Sequence, residues 1–526
     1  MLTRLLATAM LVAVPVAAQE ATPAPAPAAP PPKLIVAISV DQLSADLFAG
    51  YRPYFTGGLA RLSRGVVFPS GYQSHAATET CPGHSTILTG ARPARNGVVA
   101  NDWVDLKTAR EDTTIYCAED ERVPGSTSDK YTVSPVHLLV PTLGDRLKAV
   151  APGTRVVSVA GKDRAAVMMA GKSADQTWWW GGKGFVSYTG TAEAPTVTRT
   201  NAAIAAQIAK PQPALDLPDY CKPRDVAVSA GSRTVGTGRF AREAGDARAF
   251  RASPEMDGAV LALAAAFFEE MKLGRGEATD VLIVGASATD YVGHGFGTEG
   301  TEMCLQLTSL DRDLGAFFDG LDRSGVDYQV VLTADHGGHD LPERNVLHGI
   351  PDAARAQTGL SSKPMSAKVA AKLKLGEQRL LWGGNFGDIY VDPKLEPKLR
   401  AKVLAEAVAQ YRAHPQVAAV FTGDEIMATP SPSGSPESWT LIQRVRASYF
   451  PGRSGDFYVA LKPRITPIPV PGGSVATHGS IWDYDRRVPI LFWRKGVTPF
   501  EQPNGVETVD ILPTLASVVG VKVDAA

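Results

Sequence analysis

Five short, continuously apolar runs divide this chain, and helical patterns lie between them. The runs cover residues 33–40, 155–160, 281–286, 328–333 and 488–493. A run without polar alternation is typical of a strand buried on both faces, as in a parallel sheet. Residues 254–273 and 303–321 are helical in pattern, and Ser253 followed by Pro254 is typical of a helix start. The sequence therefore predicts an α/β fold with a mostly parallel central sheet and helices on both faces.

The N-terminal residues have the pattern of a signal peptide, predicted to span residues 1–18. Arg4 supplies the positive charge, an apolar stretch follows, and small residues lead to a cleavage site after Ala18. The apolar stretch is short for a membrane span of about 20 residues, so cleavage is favoured over anchoring. Alternating alanine and proline then make residues 19–32 an extended linker. We therefore predict a periplasmic or secreted protein.

Residues 33–526 are predicted to form one catalytic domain with two insertions on the ligand-binding rim of the sheet. Residues 172–250 are rich in Thr, Gly, Pro and Trp, and residues 355–470 carry several Pro/Gly/Ser clusters. The three consecutive tryptophans at 178–180 could line a substrate cleft, but such residues more often pack within an insertion.

The net charge of the chain limits the macromolecules and surfaces that it is expected to bind. The formal net charge of −1 argues against a broad surface for nucleic acid or anionic membranes. We expect no membrane span after signal cleavage.

The four cysteines, Cys81, Cys117, Cys221 and Cys304, allow three disulfide pairings between which the sequence cannot choose. Because no CxxC pair occurs, a cysteine zinc site is not expected.

Aspartate and histidine residues follow the predicted strands. They are Asp41 after the first run, Asp290 and His294 after the third, Asp335 and His336 after the fourth, and His478 in the loop before the fifth. Ligands of open α/β sheets bind beyond the carboxyl ends of the strands. One such aspartate is usually a helix cap, and DHGG alone is an ordinary turn. Five independent strand-end placements nevertheless favour a shared site, which His478 would reach by its loop.

These side chains supply ligands for two metal ions. Asp41, Asp335 and His336 form one set, and Asp290, His294 and His478 form the other. Three protein ligands that mix imidazole and carboxylate are typical of an open catalytic zinc site. Imidazole argues against magnesium or calcium as the main ion, so we predict two zinc ions per chain. The acidic loops also leave room for a structural calcium ion, to which no residues are assigned.

The segment TETCPGH carries the candidate nucleophile, Thr80. Pro82 is expected to begin a short helix through Leu88, so Thr80 would precede a helix N-terminus, which favours negative charge. A metal ion can deprotonate such a hydroxyl. Without the metal ligands, Thr80 would be an ordinary helix cap. Cys81 ranks second, since it would need a base and a lowered pKa.

Three further residues are candidates for binding phosphate. Lys162 and Arg164 lie on the same face if the chain there stays extended, and two cations suit the charged oxygens of a phosphate monoester. A Lys-Asp-Arg sequence is otherwise usually a solvated surface. Asn101 is a neutral donor for another phosphoryl oxygen.

Taken together, these residues resemble the alkaline phosphatase superfamily, in particular the bacterial periplasmic phosphate monoesterases with a threonine nucleophile. The resemblance covers nearly all of the chain after residue 33, in the ordered segments SVDQL, TETCPGH, NDW, GKDR, DYVGH, TADHGG, THGS and VDILPTLASVVG. It implies that Thr80 attacks phosphorus and forms a phosphothreonine intermediate. It also implies that the zinc at Asp41 activates Thr80, and that the zinc at Asp290 stabilises the leaving oxygen and then activates water. Asn101, Lys162 and Arg164 would bind the phosphoryl oxygens.

Other members of the superfamily fit the residues less well. The phosphodiesterase and nucleotide pyrophosphatase branch keeps the ligands and the threonine but resembles this chain less around GKDR. A diester has fewer charged oxygens, so two cations there favour a monoester. Sulfatases use a C-x-P-x-R pattern, whereas Cys81 is followed directly by Pro82. Phosphoglycerate mutases use serine and manganese. We predict a hydrolase of small phosphate monoesters, with a phosphodiesterase as the alternative and a non-enzymatic phosphate- or zinc-binding protein as the third hypothesis.

Overall fold

A ten-stranded sheet runs through the centre of the protein. The computed structural model describes residues 30–523, so the predicted signal peptide and most of the linker lie outside the described residues. The strands are β1 (Leu34–Val40), β2 (Val66–Tyr72), β3 (Asp102–Val104), β4 (Thr114–Tyr116), β5 (Val156–Ala160), β6 (Gln176–Trp180), β7 (Phe185–Val186), β8 (Val228–Ala230), β9 (Arg233–Val235), β10 (Asp280–Ala286), β11 (Tyr328–Thr333), β12 (Ala354–Arg355), β13 (Leu381–Gly383), β14 (Gly387–Val391), β15 (Val417–Thr422), β16 (Phe457–Leu461), β17 (Ile465–Thr466), β18 (Arg487–Arg494), β19 (Phe500–Glu501) and β20 (Val506–Glu507).

Helices connect most of these strands. They are α1 (Ala45–Tyr51), α2 (Gly58–Leu62), α3 (Thr80–Ile87), α4 (Pro93–Asn96), α5 (Leu143–Val150), α6 (Asp163–Ala170), α7 (Pro195–Ile208), α8 (Ala247–Arg251), α9 (Pro254–Glu270), α10 (Ala288–Phe296), α11 (Thr301–Ser324), α12 (Pro342–Leu347), α13 (Ser362–Leu373), α14 (Pro397–Arg412), α15 (Gly423–Ala428), α16 (Leu441–Ser448), α17 (Asp483–Arg486) and α18 (Ile511–Val519). None of the helices in this part of the chain combines the length and hydrophobicity needed to cross a bilayer.

The central sheet has the order β19-β2-β18-β11-β1-β10-β5-β6-β7, with β20 beside β2. Its middle strands, from β11 to β6, are parallel. Alternate residues of β1 enter different cores: Val36 packs with α9 and α11, whereas Ile35 packs with α5 and α18. This alternation explains why the run reads as continuously apolar, since both faces of the strand are covered. The predicted fold class is confirmed.

Strand β18 runs antiparallel to β11 and β2. The apolar run at residues 488–493 resembles those of the parallel strands, so its sequence does not indicate this direction. The direction of a strand cannot be inferred from its sequence when both of its faces are buried, because either direction gives a continuous apolar run. The reversal has a consequence for the site. The start of β18, rather than its end, lies at the edge where the parallel strands finish, and the preceding loop with His478 reaches that edge directly.

The predicted helices are present with shifted ends. The side chain of Ser253 accepts a hydrogen bond from the Glu255 amide at the start of α9, and Pro254 is the first helical residue. This helix ends at Glu270 rather than at residue 273. Helix α11 extends to Ser324, beyond the predicted residue 321, and Gly325 ends it with φ of 72°, a conformation that favours glycine.

The two ranges interpreted as insertions have different structures. Strands β6 and β7, at the start of 172–250, extend the central sheet. Trp178 and Trp180 pack in one core and Trp179 in another, so all three are buried within the fold. Residues 355–470 contain a separate four-stranded sheet, β13-β14-β16-β15, with its own hydrophobic core.

Candidate active site

The six predicted metal ligands meet at the carboxyl edge of the parallel strands. The Nε2 atoms of His294 and His478 lie 3.4 Å and 3.2 Å from Oδ1 of Asp290. Nε2 of His336 lies 3.1 Å from Oδ2 of Asp335, and its ring stacks on that of His478 at a centroid distance of 3.5 Å. Backbone topology therefore brings together side chains that are far apart in sequence.

Each of the three histidines is oriented by the main chain. The Nδ1 atom of His294 lies 3.0 Å from the carbonyl oxygen of Ala476. The Nδ1 atom of His336 lies 2.8 Å from the carbonyl oxygen of Gly337. The Nδ1 atom of His478 lies 2.8 Å from the carbonyl oxygen of Thr78. A protonated Nδ1 that donates to a carbonyl leaves Nε2 with a lone pair, which is how metal-binding imidazoles are usually held.

The carboxylates at this edge are buried and face nitrogen atoms of other site residues. The four oxygens concerned, both of Asp41, Oδ2 of Asp335 and Oδ1 of Asp290, approach only imidazole nitrogens or the Lys162 ammonium among the ion pairs within residues 30–523. Burial would raise the pKa of Asp335, but His336 and His84 hold it well below its usual range. Burial lowers the pKa of His294 to about 4, which keeps that imidazole neutral. Buried carboxylate oxygens beside imidazole nitrogens are the donor set that a divalent metal ion requires.

The structure divides the candidate ligands into two groups whose members differ from the two predicted sets. Within 4.8 Å of one another lie Asp290, His336 and His478 in one group, and Asp41, His84 and Asp335 in the other. His336 stands between the groups, because its Nε2 also approaches Asp335. His294 lies beside the first group through its contact with Asp290.

Sequence reasoning missed His84. This fully buried residue lies one turn after Thr80 on α3. Its Nε2 lies 3.1 Å from Oδ1 of Asp41, and its Nδ1 lies 3.3 Å from Oδ2 of Asp335. The two carboxylates outweigh the effect of burial and raise the pKa of His84 to about 10. The spacing of four residues from the candidate nucleophile was the available signal, since it places both on one helix face.

Helix α3 begins at Thr80 itself, and Pro82 is its third residue rather than its first. Proline is tolerated there because the first-turn amides have no partner inside the helix. The Thr80 hydroxyl is buried and makes no hydrogen bond to any described residue. The helix is packed tightly against the end of β11, because a Cβ atom at Gly83 would lie 1.9 Å from the carbonyl oxygen of Asp335. Thr80 is thereby fixed at the edge that carries the ligands.

Lys162 and Arg164 do not lie on one extended segment, as the spacing had indicated, because α6 begins at Asp163. Lys162 Nζ lies 2.5 Å from Oδ2 of Asp290 and 2.8 Å from Oδ2 of Asp41. The ammonium thus bridges carboxylates of both ligand groups. Arg164 is also held inside the protein, where its Nη1 donates to the hydroxyl of Tyr116 at 3.3 Å.

Asn101 lies beside the candidate nucleophile. Its side-chain oxygen accepts a hydrogen bond from the amide of Cys81 at 2.8 Å, which leaves its NH₂ group available as a donor. A disulfide joins Cys81 to Cys117, and the amide of Cys117 donates to the carbonyl of Asn101 at 2.9 Å. A second disulfide joins Cys221 to Cys304. The disulfide removes Cys81 as an alternative nucleophile, because its sulfur carries no free thiol.

Comparison with known proteins places this site in a family. The family model of type I phosphodiesterases and nucleotide pyrophosphatases matches residues 35–480. Alkaline phosphatase PhoK of Sphingomonas sp. is 61% identical over 497 residues, which cover 94% of this chain and 89% of the relative. Alkaline phosphatase PhoD of Zymomonas mobilis is 46% identical over 491 residues, 92% of this chain and 85% of the relative.

A solved structure agrees with these sequence matches. The crystal structure of wild-type alkaline phosphatase PafA superposes with a TM-score of 0.81 at 26% identity, covering 94% of this chain and 97% of that chain. The chain belongs to the type I phosphodiesterase and nucleotide pyrophosphatase family, within the alkaline phosphatase superfamily. The predicted superfamily and the prediction of an enzyme are confirmed, and both of the sequence relatives described above are named alkaline phosphatases.

Proposed function

We propose that the chain hydrolyses small-molecule phosphate monoesters to an alcohol and inorganic phosphate, with Thr80 as the nucleophile. Relatives named alkaline phosphatases, which match over most of their length, support the reaction class. The observation that carries the proposal for this chain is the set of three histidines whose Nε2 atoms face buried carboxylates. The hydroxyl of Thr80, at the start of α3, is buried without a hydrogen-bond partner among the described residues, and His84 of the same helix contacts Asp41 and Asp335.

The proposed metal ligands are those of the two original sets. Asp41, Asp335 and His336 would hold one zinc ion, and Asp290, His294 and His478 the other. Imidazole nitrogen with carboxylate oxygen favours zinc over magnesium or calcium. Two such ions supply the positive charge that lowers the pKa of a hydroxyl or a water molecule and offsets the charge on the reacting oxygens.

Thr80 performs the first step in this proposal. Its Oγ attacks phosphorus in line with the bond to the leaving alcohol, and the phosphoryl group is transferred to give phosphothreonine. Its location at the first position of α3 turns the helix N-terminus toward the transferred group, where partial positive charge stabilises the oxygens. Water then attacks the same phosphorus and releases phosphate, which regenerates the hydroxyl.

The phosphoryl oxygens have three proposed partners. Asn101 donates through its free NH₂ group, and its orientation is supported by the amide of Cys81. Lys162 and Arg164 add two positive charges in a buried environment, where charge-assisted hydrogen bonds are strong. Because a monoester carries more charge than a diester, this pair favours the monoester.

The test compares p-nitrophenyl phosphate with bis-p-nitrophenyl phosphate, with metal analysis of the same sample. We expect the monoester to be the better substrate, with activity lost on chelation and restored by zinc. The family description, which names phosphodiesterases, makes diester hydrolysis the second candidate. A faster rate with the diester would establish that candidate instead.

Thr80→Ala tests the nucleophile on the same protein. We expect it to retain zinc and to lose nearly all turnover, whereas Thr80→Ser should keep measurable activity because a hydroxyl remains. A Thr80→Ala variant with the unaltered rate would contradict the assignment. We also propose that the protein is exported, since the N-terminal pattern is that of a signal peptide and the protein has disulfides.

A further inference from the structure

Arg164 carries a positive charge and, among the described residues, forms no ion pair with a carboxylate. Within residues 30–523, its guanidinium donates one hydrogen bond, from Nη1 to the hydroxyl of Tyr116 at 3.3 Å, and its buried Nε donates none. Arg110 and Arg242 differ, since each of them pairs directly with a glutamate. A guanidinium has five N–H donors, so most of those on Arg164 remain available to an anion.

The hydroxyl of Tyr116 is oriented by a carboxylate. It donates to Oδ1 of Asp163 at 2.7 Å, so its oxygen can accept the hydrogen bond from Arg164. Oδ1 of Asp163 also accepts from the Arg164 amide at 2.7 Å, and Oδ2 accepts from the hydroxyl of Tyr131 at 2.8 Å. Burial holds the pKa of Tyr116 well above its usual value despite the charge of Arg164, so the phenol keeps its proton. The guanidinium therefore faces a neutral oxygen whose proton points to a carboxylate.

Tyr116 is also fixed relative to the other proposed phosphate-binding side chains. It is the last residue of β4 and pairs with Asp102 at the start of β3. Asn101 directly precedes Asp102, and Cys117 directly follows Tyr116. A disulfide joins Cys117 to Cys81, next to the candidate nucleophile. One hairpin therefore carries both Asn101 and the hydroxyl that contacts Arg164.

We propose that Tyr116 is a positioning residue, which fixes the guanidinium of Arg164 relative to Asn101 without neutralising its charge. This inference rests on the proposed function through the phosphate-binding role of Arg164. A direct carboxylate partner would occupy two guanidinium donors in a bidentate pair and offset the positive charge. The phenol oxygen occupies one donor and leaves the charge to the phosphoryl oxygens. A side chain that is already oriented loses less entropy when the phosphoryl group binds and stabilises its charge without rearrangement.

Tyr116→Phe tests the hydroxyl alone, because the ring, which lies 4.6 Å from that of Tyr131 between centroids, is kept. We expect this variant to lower kcat/KM for p-nitrophenyl phosphate about tenfold, which is about 1.4 kcal/mol. Tyr131→Phe is the matched control, because it removes a hydroxyl from the same carboxylate and leaves the contact with Arg164 in place. It should keep kcat/KM within about twofold of the unaltered value. Equal losses in the two variants would overturn the proposal.

A double-mutant cycle shows whether Tyr116 acts through Arg164. In an Arg164→Ala background the partner is gone, so adding Tyr116→Phe should lower kcat/KM by no more than about a further twofold. A role of the tyrosine that is independent of Arg164, such as general packing, would give the same loss in both backgrounds and would overturn the proposal. An Arg164→Ala variant with unaltered kcat/KM would overturn it as well, because Arg164 would then have no phosphoryl group to bind.

The affinity for inorganic phosphate is a measure that does not depend on turnover. Calorimetry on the zinc-loaded protein should show binding about tenfold weaker in Tyr116→Phe and unaltered in Tyr131→Phe. Unaltered phosphate affinity of Tyr116→Phe would overturn the positioning role, even if the unaltered protein hydrolyses monoesters as proposed. Phosphate binding that depends on the Tyr116 hydroxyl, in a protein that hydrolyses no monoester, would support the positioning role and overturn the proposed function alone.

Discussion

The Nε2 atom of His84 lies 3.1 Å from Oδ1 of Asp41. The other ring nitrogen, Nδ1, lies 2.9 Å from the carbonyl oxygen of Thr80. One imidazole therefore connects the start of α3 with the carboxylate that follows β1. Because both ring nitrogens face partners within the protein, His84 is placed to position the nucleophile rather than to bind a substrate.

Replacing His84 tests this positioning role. We expect His84→Gln to keep two zinc ions per chain, because the six proposed ligands remain, and to lower kcat about tenfold or more through misplacement of Thr80. Metal analysis by mass spectrometry, together with kcat and KM measured separately, gives the answer. Loss of one zinc ion per chain would show instead that His84 is a ligand.

Gly83 allows the close contact between α3 and β11. We expect Gly83→Ala to lower the free energy of unfolding by roughly 1–3 kcal/mol, because a Cβ atom would overlap a main-chain oxygen that cannot move freely. Urea denaturation measures the change. Gly50→Ala is the matched control, since Gly50 lies in α1 with no atom within 4 Å of its Cβ position, and a helical alanine there should be neutral or stabilising. Equal effects at the two positions would contradict the packing argument.

The two disulfides are expected to differ in their effect on catalysis. Replacing Cys81 and Cys117 by serine, or Cys221 and Cys304 by serine, should each lower the free energy of unfolding by roughly 2–5 kcal/mol. Only the first pair should also raise KM for a monoester, because that disulfide holds the strand next to Asn101. Denaturation curves and steady-state kinetics on both double variants provide the comparison. A similar rise in KM for both pairs would argue against local positioning.

His75 should make the stability of the protein depend on pH. Burial, followed by the charge of Arg486, lowers the pKa of this side chain to about 3. The unfolded chain therefore takes up a proton near pH 6.5 while the folded protein does not, and stability falls as the pH drops below that value. The loss is about 1.4 kcal/mol per pH unit. His75→Gln should show a shallower fall between pH 6 and pH 4 in urea titrations, and parallel curves for the two proteins would disprove the assignment.

The ligand-bearing edge could be predicted from the sequence because it depends on chain topology. Asp41, Asp290 and Asp335 each follow a buried apolar run, and the ends of parallel strands meet at one edge of a sheet. Hydrophobic pattern alone was therefore enough to bring these residues together. The helix start predicted at Pro254 is correct, and the one predicted at Pro82 lies two residues after the true start at Thr80, since caps and prolines act locally.

Features that depend on packing could not be predicted in this way. The direction of β18 leaves no pattern in its residues. The cysteine pairs follow from the approach of segments separated by 36 and 83 residues, which no spacing rule determines. His84 belongs to a helix, where a polar residue usually faces solvent. Only its neighbours, the carboxylates of Asp41 and Asp335, show that it faces the site.

The orientation of His294, His336 and His478 depends on main-chain oxygens, and this affects how the site can change over evolution. A carbonyl group is present whatever residue occupies the position, so substitution at Thr78, Gly337 or Ala476 cannot delete the partner of an imidazole. Only a movement of the backbone itself can release the rings. The orientation of the rings therefore depends on the course of these loops more than on their side chains. Gly337 is restricted for a separate reason, because a Cβ atom there would lie 2.3 Å from the carbonyl oxygen of Tyr484.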